Sequence, residues 1–116
     1  ASRAEIKIEE ILQMNEVNFI EEYEFPELLS PNGKPLRFDF AILDDDGNLD
    51  FLIEYNGKQH YEPVAKFGGK RGLYQQQYND TKKKRFCALK HINLVIIPYT
   101  DENLISYDYI FKKAGY

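Results

Sequence analysis

Asp39 and Glu54 each stand inside an otherwise apolar segment, Leu36 to Leu43 and Leu49 to Tyr55. An unpaired carboxylate at such a position carries a desolvation cost that something must offset. A bound cation and an internal salt bridge would both serve, and the two carboxylates alone do not choose between them. Magnesium takes oxygen ligands and usually keeps several waters beside one or two carboxylates, so this pair is a sufficient protein contribution. The run Glu54-Tyr55-Asn56-Gly57-Lys58-Gln59-His60 then crowds polar and ionisable side chains around a glycine at the end of an apolar segment. Lys58 is suited to negative charge on a phosphate, and His60 to acid or base work near neutral pH. Gln59 or Asn56 could orient water or substrate.

The elements that must position these groups follow from periodicity. Ile8, Ile11 and Leu12 recur at helical spacing between Ser2 and Met14, with Ser2 as the N-cap and Glu5 three residues on, as in a capping box. Glu5 also falls one turn before Ile8, close to the apolar stripe. Phe19 to Phe25 is expected to be a strand ended by Pro26, and Pro31-Asn32-Gly33 supplies a turn. In the next strand, Leu36 to Leu43, alternation puts Leu36, Phe38, Phe40 and Ile42 on one face and Arg37, Asp39 and Ala41 on the other. The turn Asp44-Asp45-Asp46-Gly47-Asn48 joins it to the strand Leu49 to Tyr55. It lacks the ligand spacing of a calcium loop and reads as a hairpin turn. A surface loop from His60 to Gly72, a long helix from Leu73 to His91, a buried strand Asn93 to Ile97 and a last helix from about Asp101 to Ala114 complete the chain. The order is α-β-β-β-α-β-α, an α/β fold with a mixed four-stranded sheet flanked by helices.

With 116 residues and 43% hydrophobic content, the chain has material for one core and is expected to be a single domain over residues 1–116. No apolar run is long enough to span a membrane, and no leader pattern opens the chain. The lone cysteine, Cys87, is expected in the core at helical spacing, and a cytoplasmic location fits this count. The net charge of -4 argues against a nucleic-acid partner, but its distribution argues for one. Between Lys66 and Lys90 lie Lys66, Lys70, Arg71, Lys82, Lys83, Lys84, Arg85 and Lys90 against one acid, Asp80. That asymmetry suggests a positive face. A solvated helix surface would produce the same run.

Three segments carry a family resemblance: Arg37-Phe38-Asp39-Phe40, then Ile53 through Tyr61, then Gln77-Tyr78-Asn79-Asp80 leading to Lys83 and Cys87. Together they resemble the PD-(D/E)xK nuclease superfamily. More narrowly they resemble the branch of very-short-patch mismatch-repair endonucleases and phage homing endonucleases, whose signature order is Glu, Asp, a variable position, His, Asp. The resemblance implies a restriction-endonuclease-like fold, with Glu5 as the helical Glu, Asp39 as the metal-binding Asp, His60 as the His and Asp80 as the final Asp. It departs from the superfamily at one point. Asn56 stands two residues after Glu54, where a lysine is expected, which leaves the lysine's role to Lys58 or His60.

The expectation is therefore a Mg2+-dependent endonuclease domain hydrolysing phosphodiester bonds in double-stranded DNA, of the phage homing type and acting in the host cytoplasm. Asp39, Glu54 and the backbone carbonyl of Tyr55 would hold one or two ions. His60 would assist proton transfer, with Glu5 and Asp80 orienting it or the hydrated metal. The Lys66 to Arg71 loop and a helix bearing Lys82, Lys83 and Arg85 would hold the DNA backbone, and Tyr61 and Tyr74 are candidates for DNA contact. Target recognition is assigned to a separate region of a longer protein, and pairing of two copies into a homodimer would allow both strands to be cut. The alternative is a DNA-binding module that keeps the fold without catalysis. Asp80 also has a plain alternative, a surface pair with Lys83 or Lys84.

Overall fold

In the computed structural model, which describes residues 1–116, the chain forms a four-stranded mixed sheet with helices on both faces. Helix α1 spans Arg3–Met14, and strands β1, β2 and β3 span Phe19–Leu29, Pro35–Leu43 and Leu49–Asn56. Helix α2 (Gly69–Leu89), strand β4 (Asn93–Pro98) and helix α3 (Tyr107–Lys113) follow. The sheet order is β1-β2-β3-β4, antiparallel except for the parallel β3–β4 pair that the α2 crossover allows. Helix α1 begins as its capping box requires, with the Ser2 side chain accepting from the Glu5 N–H.

Two cores lie on the two faces of the sheet. Ala4, Ile8 and Leu12 of α1 and Ile110 of α3 pack against Phe40, Ile42, Phe51 and Ile53. On the opposite face Cys87 of α2 packs with Leu36, Phe38, Ala41 and Leu52. Each Leu, Ile or Phe side chain among them contributes about 1.5–3 kcal/mol by leaving water. Burial pushes the Cys87 thiol up to about 11, so this cysteine is an inert core group.

This partition corrects the expected alternation of β2. Leu36 and Phe38 face α2, whereas Phe40 and Ile42 face α1, so the pleat changes face at Asp39. Opposite Asp39 in the β1–β2 register stands Glu22, in the left-handed region at φ 55°. Period-two reading assumes regular alternation throughout, and the left-handed backbone at Glu22 marks where β1 departs from it.

Other boundaries also shift. Strand β1 runs through Pro26 to Leu29, because an edge strand tolerates a residue without an N–H, and the register slips between Glu24 and Leu29. Helix α2 begins at Gly69, inside the expected loop, so Lys70 and Arg71 lie in its first turn. Gly68 makes the entry at φ 89°, and a Cβ on Gly72 would fall 1.7 Å from the Phe67 carbonyl oxygen. Both glycines build the helix start rather than breaking it. At its other end α2 stops at Leu89, short of His91. The expected last helix is two pieces, a 3-10 segment Tyr99–Leu104 and α3, which Ser106 caps by accepting from the Tyr109 N–H. In the acidic turn, Asp44 Oδ1 accepts from the N–H groups of Asp46 and Asn48, so that carboxylate serves the turn itself. No helix is long and apolar enough to cross a membrane.

Candidate active site

The β2–β3 ladder pairs Phe40 with Ile53, and beyond it the two carboxylates take over from backbone pairing. The Asp39 N–H donates to Glu54 Oε1 at 2.8 Å, and the Tyr55 N–H donates to Asp39 Oδ2 at 2.7 Å. Each side chain thus fills the place of a carbonyl on the opposing strand, so both can sit in an apolar sheet with satisfied backbone. Asp39 Oδ1 keeps no protein partner, and Asp39 lines a cavity of about 70 Å³ with Glu5, Glu9, Glu21 and Glu22.

Glu54 is turned toward α2. Its Oε2 accepts from Lys83 Nζ at 2.8 Å, and both side chains are about 90% buried. The Lys83 ammonium also lies 5.3 Å from the centroid of the Phe38 ring. This corrects the expectation that Lys83 faces DNA: it is a buried partner of Glu54. It also bears on the lysine missing at position 56, because the cation beside the second acid comes from α2 and not from Lys58. Lys58 is exposed on the 3-10 turn Lys58–His60, and Gln59 folds back over Gly57; neither bonds to Asp39, Glu54 or His60.

His60 and Asp80 are brought together across 20 residues of sequence. His60 Nδ1 lies 2.8 Å from Asp80 Oδ2 with both side chains largely buried, and Gln76 Nε2 donates to Asp80 Oδ1 at 3.2 Å. A carboxylate only accepts, so the imidazole donates from Nδ1 and leaves Nε2 without a protein partner. The surface alternative for Asp80, a pair with Lys83 or Lys84, is not what forms.

The electrostatics divide the two acids. Burial first, then the charges of Glu54 and Glu5, push Asp39 up to about 8, against the Tyr55 N–H and Lys83. Burial also raises Glu54, but Lys83, the Asp39 N–H and His60 oppose that rise. Asp39 therefore has a deficit of positive charge and a free oxygen. Asn56 Oδ1 is buried without a partner beside Glu54 and Lys83, a position that sequence reasoning marked only by the residue missing there. No three His, Cys, Asp or Glu side chains converge as a closed metal cage. Of the four carboxylate oxygens of Asp39 and Glu54, Asp39 Oδ1 alone has no hydrogen-bond partner in the chain.

The expected nucleic-acid residues Lys66, Lys70, Arg71 and Arg85 are exposed and Lys82 is half-exposed. The Tyr55 hydroxyl donates to Glu102, which also holds Arg3 and so ties α1 to the site. A cavity of about 630 Å³ between the end of α1, the acidic turn and α3 contains none of these residues.

No family model and no solved structure matches the chain. It is similar to the uncharacterized protein 307L of Invertebrate iridescent virus 6, at 34% identity over 87 residues, 73% of this chain and 44% of that protein. A second similarity, to the uncharacterized protein 094L of Frog virus 3 (isolate Goorha), runs at 39% identity over 62 residues, 52% of this chain and 40% of that protein. The chain spans less than half the length of these relatives.

Proposed function

We propose that this chain is the catalytic domain of a divalent-metal-dependent DNA endonuclease with a restriction-endonuclease-like fold. The observation that carries the reading is the pair of bonds from the Asp39 N–H to Glu54 and from the Tyr55 N–H to Asp39, which leaves Asp39 with a free oxygen and no ion-pair partner. An arrangement built only for stability would pair both acids.

Asp39, Glu54 and the Tyr55 carbonyl would hold Mg2+, which would polarise the scissile phosphate and lower the pKa of an attacking water. Asp80 fixes the imidazole of His60 so that Nε2 is presented for proton transfer. Lys83 neutralises Glu54 and holds its carboxylate in place. Glu5 adds negative charge beside Asp39 and favours a cation there. Lys66, Lys70, Arg71, Lys82 and Arg85 would meet the phosphate backbone. The order Glu5, Asp39, His60, Asp80 supports the narrower reading, a homing-type endonuclease of a phage or other virus, and the relatives are viral proteins. Their greater length agrees with target recognition by a further region.

The test is cleavage of supercoiled plasmid. Nicked or linear product should require Mg2+ and disappear in Asp39→Ala. His60→Ala should lose about 10²- to 10⁴-fold, the range for one acid–base group. Full activity of a folded Asp39→Ala or His60→Ala protein would overturn the assignment. The satisfied state of both Glu54 oxygens favours one second reading, a DNA-binding module without catalysis. That reading requires metal-independent DNA binding with no cleavage at any metal concentration.

A further inference from the structure

Two tyrosines on α2 have no role in holding the fold, unlike the rest of the chain's nine. Tyr23, Tyr61, Tyr99, Tyr107 and Tyr116 each lie beside another aromatic ring. Tyr55 and Tyr109 donate their hydroxyls to Glu102 and Asp101. Tyr74 and Tyr78 do neither, and they are 66% and 57% exposed. They stand one helical turn apart on the face of α2 opposite Asp80 and Lys83, and both line two grooves of about 600 and 550 Å³. The two rings form a ridge with an open trough on either side.

The charges along these troughs all have one sign. Lys34 of the β1–β2 turn lines one, and Lys82 and Arg85 line the other. No carboxylate lines either trough, in a chain whose net charge is -4. The single acid of α2, Asp80, points the other way onto His60. Gln77 lines the second trough, and its Nε2 lies 3.5 Å from the His60 carbonyl oxygen, so this surface reaches the turn that carries His60.

From this juxtaposition we infer that the Tyr74–Tyr78 ridge, with Lys34, Lys82 and Arg85, binds an unpaired nucleic-acid strand of the substrate. The inference rests on the nuclease reading above and names the form of substrate it takes. Exposed rings gain from bases only when the base faces are free, and bases in a duplex already stack on one another. Cations beside the rings supply the sequence-independent attraction to phosphates. An open ridge of two unpaired rings between basic troughs therefore suits a single strand, a frayed end or a flap better than an intact duplex.

Fluorescence anisotropy with labelled oligo(dT) and a duplex of equal length, in EDTA so that no cleavage intervenes, tests the surface by itself. Tighter binding of oligo(dT) than of duplex is expected. Tyr74→Ala and Tyr78→Ala should each weaken oligo(dT) binding about tenfold or more, the scale of one lost stack, while Tyr74→Phe and Tyr78→Phe keep it. Arg85→Ala should lower affinity and reduce its salt dependence, whereas Lys112→Ala, near the acidic turn, should do neither. Both tyrosines are exposed on a helix, so alanine there preserves the fold. Duplex binding at least as tight as oligo(dT), alanine variants without effect, or no binding of either probe would each overturn the inference. Plasmid cleavage by the wild-type chain reads the Asp39 site separately. Cleavage without oligo(dT) binding sinks only this surface, and oligo(dT) binding without cleavage sinks only the nuclease reading.

Discussion

The two faces of the sheet treat their carboxylates in opposite ways. On the α2 side, Glu54 is nearly enclosed and meets Lys83 at 2.8 Å, with the His60–Asp80 pair close by. On the α1 side, Asp39 shares a small cavity with Glu5 and other glutamates and has no ion-pair partner. Glu54 accepts from the Asp39 N–H and Asp39 from the Tyr55 N–H across one break in the β2–β3 ladder, so their strand environment is shared and their difference comes from the helices above and below. One side is self-sufficient. The other favours a protonated Asp39 or a cation placed beside it.

Breaking the self-sufficient side should have the largest effect. Glu54→Gln leaves the Lys83 ammonium buried without its counter-charge, and Lys83→Met leaves the Glu54 carboxylate in the same state. Each single change should lower unfolding free energy by about 3–5 kcal/mol, and the double variant Glu54→Gln/Lys83→Met should recover much of that loss. Urea denaturation of the four proteins is the measurement. If the losses simply add, the two residues are not coupled as the geometry requires.

Asp39 should respond with the opposite sign. Its folded pKa, about 8, lies above the ordinary aspartate value of 3.8, so between those values the folded chain binds a proton that the unfolded chain lacks. Stability of the metal-free protein should therefore fall as pH rises from about 4 to about 8 and then level off. Asp39→Asn keeps an acceptor for the Tyr55 N–H and removes the charge. It should raise Tm at pH 8 by a few degrees, equivalent to about 1 kcal/mol, and flatten the decline. Mg2+ should raise the wild-type Tm at pH 8 by binding only the folded state, and should leave Asp39→Asn unchanged. A drop in Tm for Asp39→Asn at pH 8 would show that the α1 side is compensated after all.

This asymmetry was only half legible in the sequence. Both acids stood out as polar groups in apolar strands and His60 as part of a crowded polar run, whereas Asp80, one acid in a basic window, was singled out by the family resemblance. The element order was legible because periods of two and 3.6 survive in a single sequence. The partner of Glu54 was not. Lys83 sits among Lys82, Lys84 and Arg85, and only the rotation of α2 against the sheet selects which of the four turns inward. The change of face at Asp39 was hidden as well, because period-two reading assigns one face to each parity along the whole strand. Gly68 and Gly69 read as loop because glycine marks both breaks and unusual starts, and only the close approach of Gly72 to Phe67 separates the two.

The smallest effect tests whether helix α1 belongs to the site or only covers it. Glu5 is half-buried, donates its N–H to Ser2, and contributes to the rise at Asp39 through charge alone. Glu5→Gln preserves the cap, since that bond uses the backbone, so helix stability should change by no more than a few tenths of a kcal/mol. Removing the charge should still lower the Asp39 pKa and weaken cation binding. The pH at which metal-free stability levels off should move down, and more Mg2+ should be needed for half-maximal stabilisation. Glu10→Gln, on the exposed side of the same helix, is the control and should shift neither. If both variants leave the pH profile and the Mg2+ midpoint where they were, α1 covers the Asp39 cavity without taking part in its electrostatics.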